Sequence, residues 1–403
     1  MLEKYPTIIC STLNTFDCHS PFRIWQTEID QVVSLRKQLN YDLPNLQQSR
    51  YQEDLKEAEK LTICQDIYWS HDSTSFVTVH SDYGIRQYLR PDDSNSIGQL
   101  TPYSRIFAAS SIISCSVHQN YSMYESNPDP TSHCILIGSR TVPIKLVDLE
   151  SHDQLKTLVS YNITNEENEK FEVPFSLQFL EGPQFLAGST RNKVSLYDMS
   201  RRDPIIKYSY NRKGKCGSTS YKSIISCFDK GSKVIICGSY KNQLFRVDTR
   251  SKSMEMVYRS GRNGNGNGYY QLINTNNDNY LYSFKRNSNK VDIIDLRKPT
   301  ALLNQFTLPY TSDKRLKATY NGSELAIGTP NGTIISWETS TVESGGITRE
   351  NKTEQCTPDT TYTSIPSTVI NVVSSSPDKE VYTISYSPST ESNYKSGLAL
   401  LEV

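Results

Sequence analysis

The sequence predicts an all-β chain folded as one seven-bladed β-propeller of the WD40 type, its ring closed by strands from the N- and C-terminal ends. Three observations predict it. A fourteen-residue unit recurs at a spacing of fifty: ILIGSRTVPIKLVD (Ile135 to Asp148), FLAGSTRNKVSLYD (Phe185 to Asp198) and IICGSYKNQLFRVD (Ile235 to Asp248). Each unit reads as an apolar run, a Gly-Ser step, a polar turn and an alternating strand ending on Asp, which is a β-hairpin in period two. Looser copies flank the three, at Phe76 to Leu89, Tyr282 to Asp295 and Leu325 to Glu338, so six units stand in order. Short strands repeating every forty to fifty residues are the signature of propeller blades.

Taken in order, residues 1–62 are expected to hold an N-terminal strand, Thr7 to Leu13, and then a helical or mobile extension that includes the Gln- and Glu-rich stretch Leu46 to Lys60. Residues 63–403 are expected to form the propeller. Unit one starts at Ile63 and turns at His71 to Ser73 and again at Asp82 to Gly84, short polar steps that suit hairpins. Unit two starts near Ile113 and is broken by the Pro-containing loop Met123 to Ser132; unit three starts near Phe175, after the acidic loop Asn165 to Glu172. Unit four starts near Ile224, behind the basic loop Asn211 to Ser220, and unit five at Tyr269, behind GRNGNGNG (Gly261 to Gly268). Unit six covers Leu316 to Ser340, and the Thr- and Glu-rich insert 341–366 is expected to be flexible. The last unit supplies three strands, Val369 to Ser376, Glu380 to Ser387 and Gly397 to Val403. Its fourth is expected from Thr7 to Leu13, because pairing the two ends of the chain removes an open sheet edge.

Overall charge balances at 43 basic against 43 acidic side chains, but its distribution does not. Residues 201–317 hold 23 Lys or Arg against 8 Asp or Glu, which leaves 20 against 35 elsewhere. Such asymmetry makes one side attractive to polyanions and the other a dock for basic partners. Nine cysteines show no CxxC pair and sit mostly in apolar strand runs. They read as reduced, buried small hydrophobes of an intracellular protein. The opening MLEKYPTIICSTL carries an acid early and too short an apolar run for a signal peptide, and no stretch reaches the length of a membrane helix.

Catalytic and metal chemistry find little support. Cys115, His118, His133 and Cys134 are of the right types for zinc, but adjacent strand residues such as His133 and Cys134 point to opposite faces. GRNGNGNG lacks the helix and the GK[ST] that a phosphate loop needs. There is no GxSxG elbow, and the six histidines are scattered. No metal, cofactor or small-molecule substrate is expected, and the chain reads as a non-enzyme.

The basic segments are the stronger signal. Arg201, Arg202 and Lys207, then Arg212, Lys213 and Lys215, then Arg259 and Arg262, then Lys285, Arg286 and Lys290 fall in neighbouring blades three to five. Tyrosines such as Tyr208, Tyr240, Tyr258, Tyr269, Tyr270 and Tyr282 lie between them. Cations neutralise phosphates and aromatic faces stack unpaired bases, so these eleven residues are the predicted surface for RNA or a protein partner. A solvated face, with the tyrosines packed between blades, is the competing reading.

At CQDIYWSHDSTSFVTVHSDYGIRQYL (Cys64 to Leu89) the chain resembles the WD-repeat family of the telomerase Cajal body protein. Its likeness is strongest to the budding-yeast splicing-associated branch, which is named for a synthetic interaction with trimethylguanosine synthase. Further matching stretches are Ser139 to Leu149, Ser189 to Ile205, Ser223 to Phe228, Cys237 to Arg250, Arg286 to Lys298 and Gly328 to Glu338, in the order of the blades. The chain departs from the pattern in having no Gly-His and no Trp-Asp dipeptide, so the usual His-to-Asp network of such blades is expected to be absent. The resemblance implies a nuclear, non-catalytic scaffold of pre-mRNA splicing that associates with small nuclear ribonucleoproteins (snRNPs) and helps stabilise the U1 particle at the 5′ splice site. Alternatives from the same family and fold are a protein that binds small Cajal-body or telomerase RNA, or a peptide-binding adaptor. The partners implied are snRNP proteins and small nuclear RNA, with no membrane involved.

Overall fold

The structure, a computed structural model, describes residues 2–12, 62–91, 98–100, 102–123, 132–140, 142–150, 155–165, 170–210, 222–229, 235–260, 266–275, 278–299, 302–340, 357–389 and 396–402. Seven antiparallel meanders make seven blades of a propeller. Blade 1 is Cys64–Trp69, Ser75–His80, Gly84–Leu89 and Ser104–Phe107; blade 2 is Ile112–Val117, Cys134–Ser139, Ile144–Asp148 and Thr157–Tyr161. Blade 3 is Ser176–Phe179, Gln184–Gly188, Lys193–Asp198 and Ile206–Ser209; blade 4 is Ile225–Phe228, Ile235–Ser239, Gln243–Asp248 and Ser253–Arg259. Blade 5 is Asn267–Asn274, Tyr280–Arg286, Lys290–Asp295 and Leu302–Thr307; blade 6 is Ala318–Tyr320, Glu324–Gly328, Thr333–Glu338 and Thr360–Thr363. In blade 7, Thr368–Ser375, Val381–Pro388 and Gly397–Glu402 take Thr7–Ser11 as their fourth strand, antiparallel, with Thr7 opposite Glu402.

Two short strands were not foreseen. Leu2–Lys4 adds to the outer edge of blade 6, parallel to Thr360–Thr363, and Gly98–Gln99 adds to blade 7, parallel to Thr7–Ser11. The strand Thr360–Thr363 itself lies inside the stretch expected to be flexible; residues 341–356 of that stretch and the helical or mobile stretch expected at 46–60 fall outside the described residues.

Why the repeat unit ends on Asp is visible in four blades. Asp148, Asp198, Asp248 and Asp295 each accept, at 2.9 Å, the backbone N–H two residues on, so each caps the turn into the outer strand. Such local side-chain bonds set turns that backbone pairing alone leaves loose. Aromatic pairs fill the blades at equivalent cross-strand positions. Phe76 stacks on Tyr88 at 5.2 Å and Phe185 on Tyr197 at 4.8 Å, while Trp337 of blade 6 meets Phe306 of blade 5 at 5.1 Å.

Around the ring, polar bonds join each blade to the next. Tyr68 Oη donates to Cys115 O (3.0 Å), Ser114 Oγ to Pro174 O (2.6 Å), Ser176 Oγ to Ile225 O (3.1 Å) and Ser226 Oγ to Tyr269 O (2.5 Å). Gln271 Nε2 then donates to Ala318 O (2.7 Å), Ser375 N–H to Thr319 Oγ1 (3.0 Å), and Ser385 Oγ to Cys64 O (2.8 Å), which returns to blade 1. At the junction of blades 6 and 7 the backbones also meet directly, Lys317 N donating to Asn371 O at 2.8 Å and Val373 N to Lys317 O at 3.0 Å. Acid–base pairs stiffen individual blades: Arg86 with Asp82 in blade 1 (2.7 Å), Lys193 with Glu172 beside blade 3 (2.9 Å) and Lys285 with Asp292 in blade 5 (2.7 Å).

Candidate partner-binding site at the channel mouth

First strands of the blades enclose a central channel of about 740 Å³, lined among others by Asp66, Tyr68, Gln178, Tyr270, Gln271, Arg315 and Lys317. Lys317 forms an ion pair with Asp66 across the inner strand of blade 7. At the mouth, where the second-to-third-strand turns of blades 4 and 5 meet the entry to blade 6, Tyr240 gathers two arginines. Arg286 lies over its ring, 5.5 Å from the centroid, and Arg315 donates to its hydroxyl at 2.6 Å. Asn242 of the same turn fixes the neighbouring backbone, accepting from Gly268 N at 2.6 Å and donating to Gly266 O at 3.0 Å. Lys241 stands exposed beside Tyr240, Arg259 is exposed at the end of the outer strand of blade 4 opposite Gln243, Lys290 follows the blade 5 turn, and Lys314 is exposed beside Arg315. Among the described residues, the segments carrying this arc, 240–242, 259–260, 286–290 and 311–315, hold one acid, Asp313.

Among the described residues, the predicted cations do not form one surface. Arg259, Arg286 and Lys290 belong to the arc at the mouth. Arg201 and Arg202 sit on the turn into the outer strand of blade 3, where Arg202 O accepts from Asn162 N of the segment leaving blade 2, at 2.8 Å. Lys207 is on that outer strand and, with Lys193 and Glu172, lines a separate polar cleft of about 370 Å³. Lys285 is a correction: its side chain is 2% exposed and paired with Asp292, itself 1% exposed, so its charge is spent inside blade 5. Register explains it, since Asp292 lies opposite Ser283 and Lys285 is the diagonal neighbour on the same face. Arg212, Lys213, Lys215 and Arg262 lie outside the described residues. Tyr208, Tyr269 and Tyr282 are buried and pack between blades, as the competing reading had it. Arg315 was missed, because it stands in a connection whose place beside Tyr240 only the closed ring reveals.

No family model matches the chain. Whole-length comparison is more informative. The chain is 46% identical to Protein SWT21 of Candida glabrata over 404 residues, 98% of this chain and 94% of that protein. It is 36% identical to Protein SWT21 of Kluyveromyces lactis, covering 83% of each chain, and 37% identical to Protein SWT21 of Saccharomyces cerevisiae strain YJM789, covering 76% of this chain and 88% of that one. The chain belongs to the SWT21 family. That is the branch to which the blade motifs pointed.

In this SWT21-family chain the zinc look-alike comes apart. Cys115 is buried, its thiol pushed up by that burial, while His118 stacks edge-on to Phe179 at 5.1 Å. His133 turns toward Glu150 (3.6 Å), and Cys134 is buried in the core shared by blades 2 and 3. Among the described residues no three His, Cys, Asp or Glu side chains converge as metal ligands. What the SWT21 propeller offers at its mouth is binding chemistry: fixed guanidinium groups, exposed ammonium groups and a rigid ring to hold them.

Proposed function

We propose that this chain is a non-catalytic nuclear scaffold of pre-mRNA splicing that associates with spliceosomal snRNPs and helps stabilise the U1 particle at the 5′ splice site. Its contacts run through the cationic arc of Arg259, Arg286, Lys290 and Arg315, with Arg201, Arg202 and Lys207 as a second contact on the blade 3 flank. The observation that carries this reading is the acid-poor cluster around Tyr240, set at the mouth of a ring built for rigidity. A fixed positive arc suits the acidic surfaces and phosphates of a ribonucleoprotein, and it raises encounter rates with them. Motif resemblance to the splicing-associated branch supplies the process.

The test is purification of the tagged protein from nuclear extract, with and without RNase, followed by identification of the RNAs and proteins retained. Spliceosomal small nuclear RNA and snRNP proteins are expected, and they are expected to be lost when Arg286 and Arg315 are changed to Glu. An eluate without snRNP components would overturn the proposal. Proteins retained after RNase, with no RNA enriched before it, would make the chain a protein-only adaptor.

A further inference from the structure

The geometry points to Arg286 and Arg315, organised by Tyr240, as a binding site for a phosphorylated serine or threonine of a protein partner. The inference rests on the reading above only in taking the arc at the channel mouth as a contact surface.

Two guanidinium groups repel one another in water and are seldom held together without purpose. Here one tyrosine holds both, Arg286 by its ring face at 5.5 Å and Arg315 by its hydroxyl at 2.6 Å. Neither arginine forms an ion pair among the described residues, and the Nε of Arg286 is buried without a hydrogen-bond partner. Positive charge has therefore been concentrated and oriented while hydrogen-bonding capacity is left over. A phosphate monoester carries about −1.5 to −2 charge at neutral pH and three strong acceptor oxygens. Planar guanidinium forks match those oxygens in pairs, which a point charge such as Lys does not. Phosphorylated motifs are commonly read by such arginine clusters.

An RNA backbone is the competing occupant, and two details disfavour it at this spot. A base needs a free aromatic face. The ring of Tyr240 is instead committed to Arg286, and it packs against Gly268, where a Cβ would lie only 2.9 Å from Tyr240 Cδ1. A phosphodiester also carries a single charge, whereas two arginines match the dianion of a monoester. Beneath the pair, Tyr270 borders the channel and donates to Leu316 O at 2.9 Å. A peptide lying across the mouth would thus place its phosphate on the arginines and its flanking residues over the channel.

The experiment uses the full chain immobilised on a sensor surface. Three probes are compared: a degenerate peptide pool with a fixed central phosphoserine, the same pool with serine, and a twelve-nucleotide oligouridine. The phosphoserine pool is expected to bind at least tenfold more tightly than the serine pool and to be displaced by inorganic phosphate. Because charge-assisted bonds to phosphate are among the strongest hydrogen bonds, Arg286→Ala and Arg315→Ala should each weaken it about tenfold or more. Tyr240→Phe, which keeps the ring and frees Arg315, should weaken it less than Arg315→Ala does. Arg250→Ala, on the opposite turn of blade 4, should leave it unchanged, and circular dichroism of each variant checks the fold. Equal binding of the two pools, or binding indifferent to both arginines, overturns the inference. So does an oligouridine that binds more tightly and displaces the phosphoserine pool, since the arc then reads RNA. In either case the splicing proposal stands or falls separately, on the snRNP components retained from nuclear extract.

Discussion

Ser226 of blade 4 donates a 2.5 Å hydrogen bond to the carbonyl of Tyr269 in blade 5, and both residues are buried. It is one of the bonds that carry the ring from blade to blade. Removing the hydroxyl leaves a buried carbonyl short of a donor, which costs about 1–2 kcal/mol. Ser226→Ala is therefore expected to lower the melting temperature by about 2 °C, given that 1 kcal/mol shifts large domains by only a few degrees. Changing Ser114, Ser176 and Ser226 together should roughly triple the loss, as the sites are distant enough to add. A triple variant that melts with the wild type would show that the inter-blade bonds carry no net stability.

Lys285 and Asp292 make the second prediction. Both are almost fully buried, and Gln305 Nε2 also donates to Asp292 Oδ1 at 2.7 Å. Removing one partner strands a charge in the blade, so Lys285→Met or Asp292→Leu alone should cost about 3–5 kcal/mol. The double variant Lys285→Met, Asp292→Leu should recover most of that, because a well-packed apolar pair commonly replaces a buried ion pair without loss. Urea denaturation midpoints of the four proteins decide it. Single variants as stable as the wild type would mean that the pair is not formed in solution.

Acid should cost the protein stability over two pH windows, to which two groups of blade 1 contribute. Burial holds His80 neutral, its pKa brought down from 6.5 to about 3, helped by the nearby Arg86 guanidinium. The unfolded chain therefore binds a proton that the folded chain refuses, and stability is lost as pH falls from about 6.5 toward 3. Asp82 is also buried, which opposes its ionisation, but Arg86 and the Gly84 N–H outweigh that and bring it to about 2. Its contribution is present above the usual carboxylate range and is lost as pH falls from about 4 to 2. The melting temperature of His80→Gln should vary less between pH 7 and 4 than that of the wild type. Parallel curves would remove His80 from the account.

Period and alternation made the blades legible, because a blade strand must bury alternate residues against its neighbours and the turn must end it. The recurrent Asp was readable as part of the unit, though its work as a turn cap at Asp148, Asp198, Asp248 and Asp295 needed the backbone. Pairing of Thr7–Ser11 with the last blade followed from the edge that three strands would leave open. Short edge strands such as Leu2–Lys4 were not legible: their side chains are exposed, so no apolar pattern marks them. Nor was the fate of each cation. Lys285 and Arg286 are adjacent, yet strand alternation buries one and sets the other over Tyr240. Composition counts both as positive charge, and only register separates them.

Ring closure gives the last prediction, because the two N-terminal strands do different work. Thr7–Ser11 pairs with Gly397–Glu402, and Thr12 extends the join, its Oγ1 accepting from Leu398 N at 2.7 Å. Cys10 and Thr12 are fully buried there, and Cys10 packs against Leu398 and Leu400. Leu2–Lys4, by contrast, lies on blade 6 with all three side chains exposed. Deleting residues 1–5 therefore removes a few edge hydrogen bonds and little apolar burial, and should move the melt by about 1 °C or less, as exposed changes usually stay within 0.5 kcal/mol. Deleting residues 1–12 uncovers Leu398 and Leu400, each fully buried side chain being worth about 1.5–3 kcal/mol, and opens a flat edge to other chains. That deletion should lower the melting temperature by several degrees and produce concentration-dependent association, seen by light scattering. Equal effects of the two deletions would locate closure outside the Thr7–Ser11 strand and leave the seam to the contacts between blades 7 and 1, where Arg90 pairs with Asp378 and Glu380.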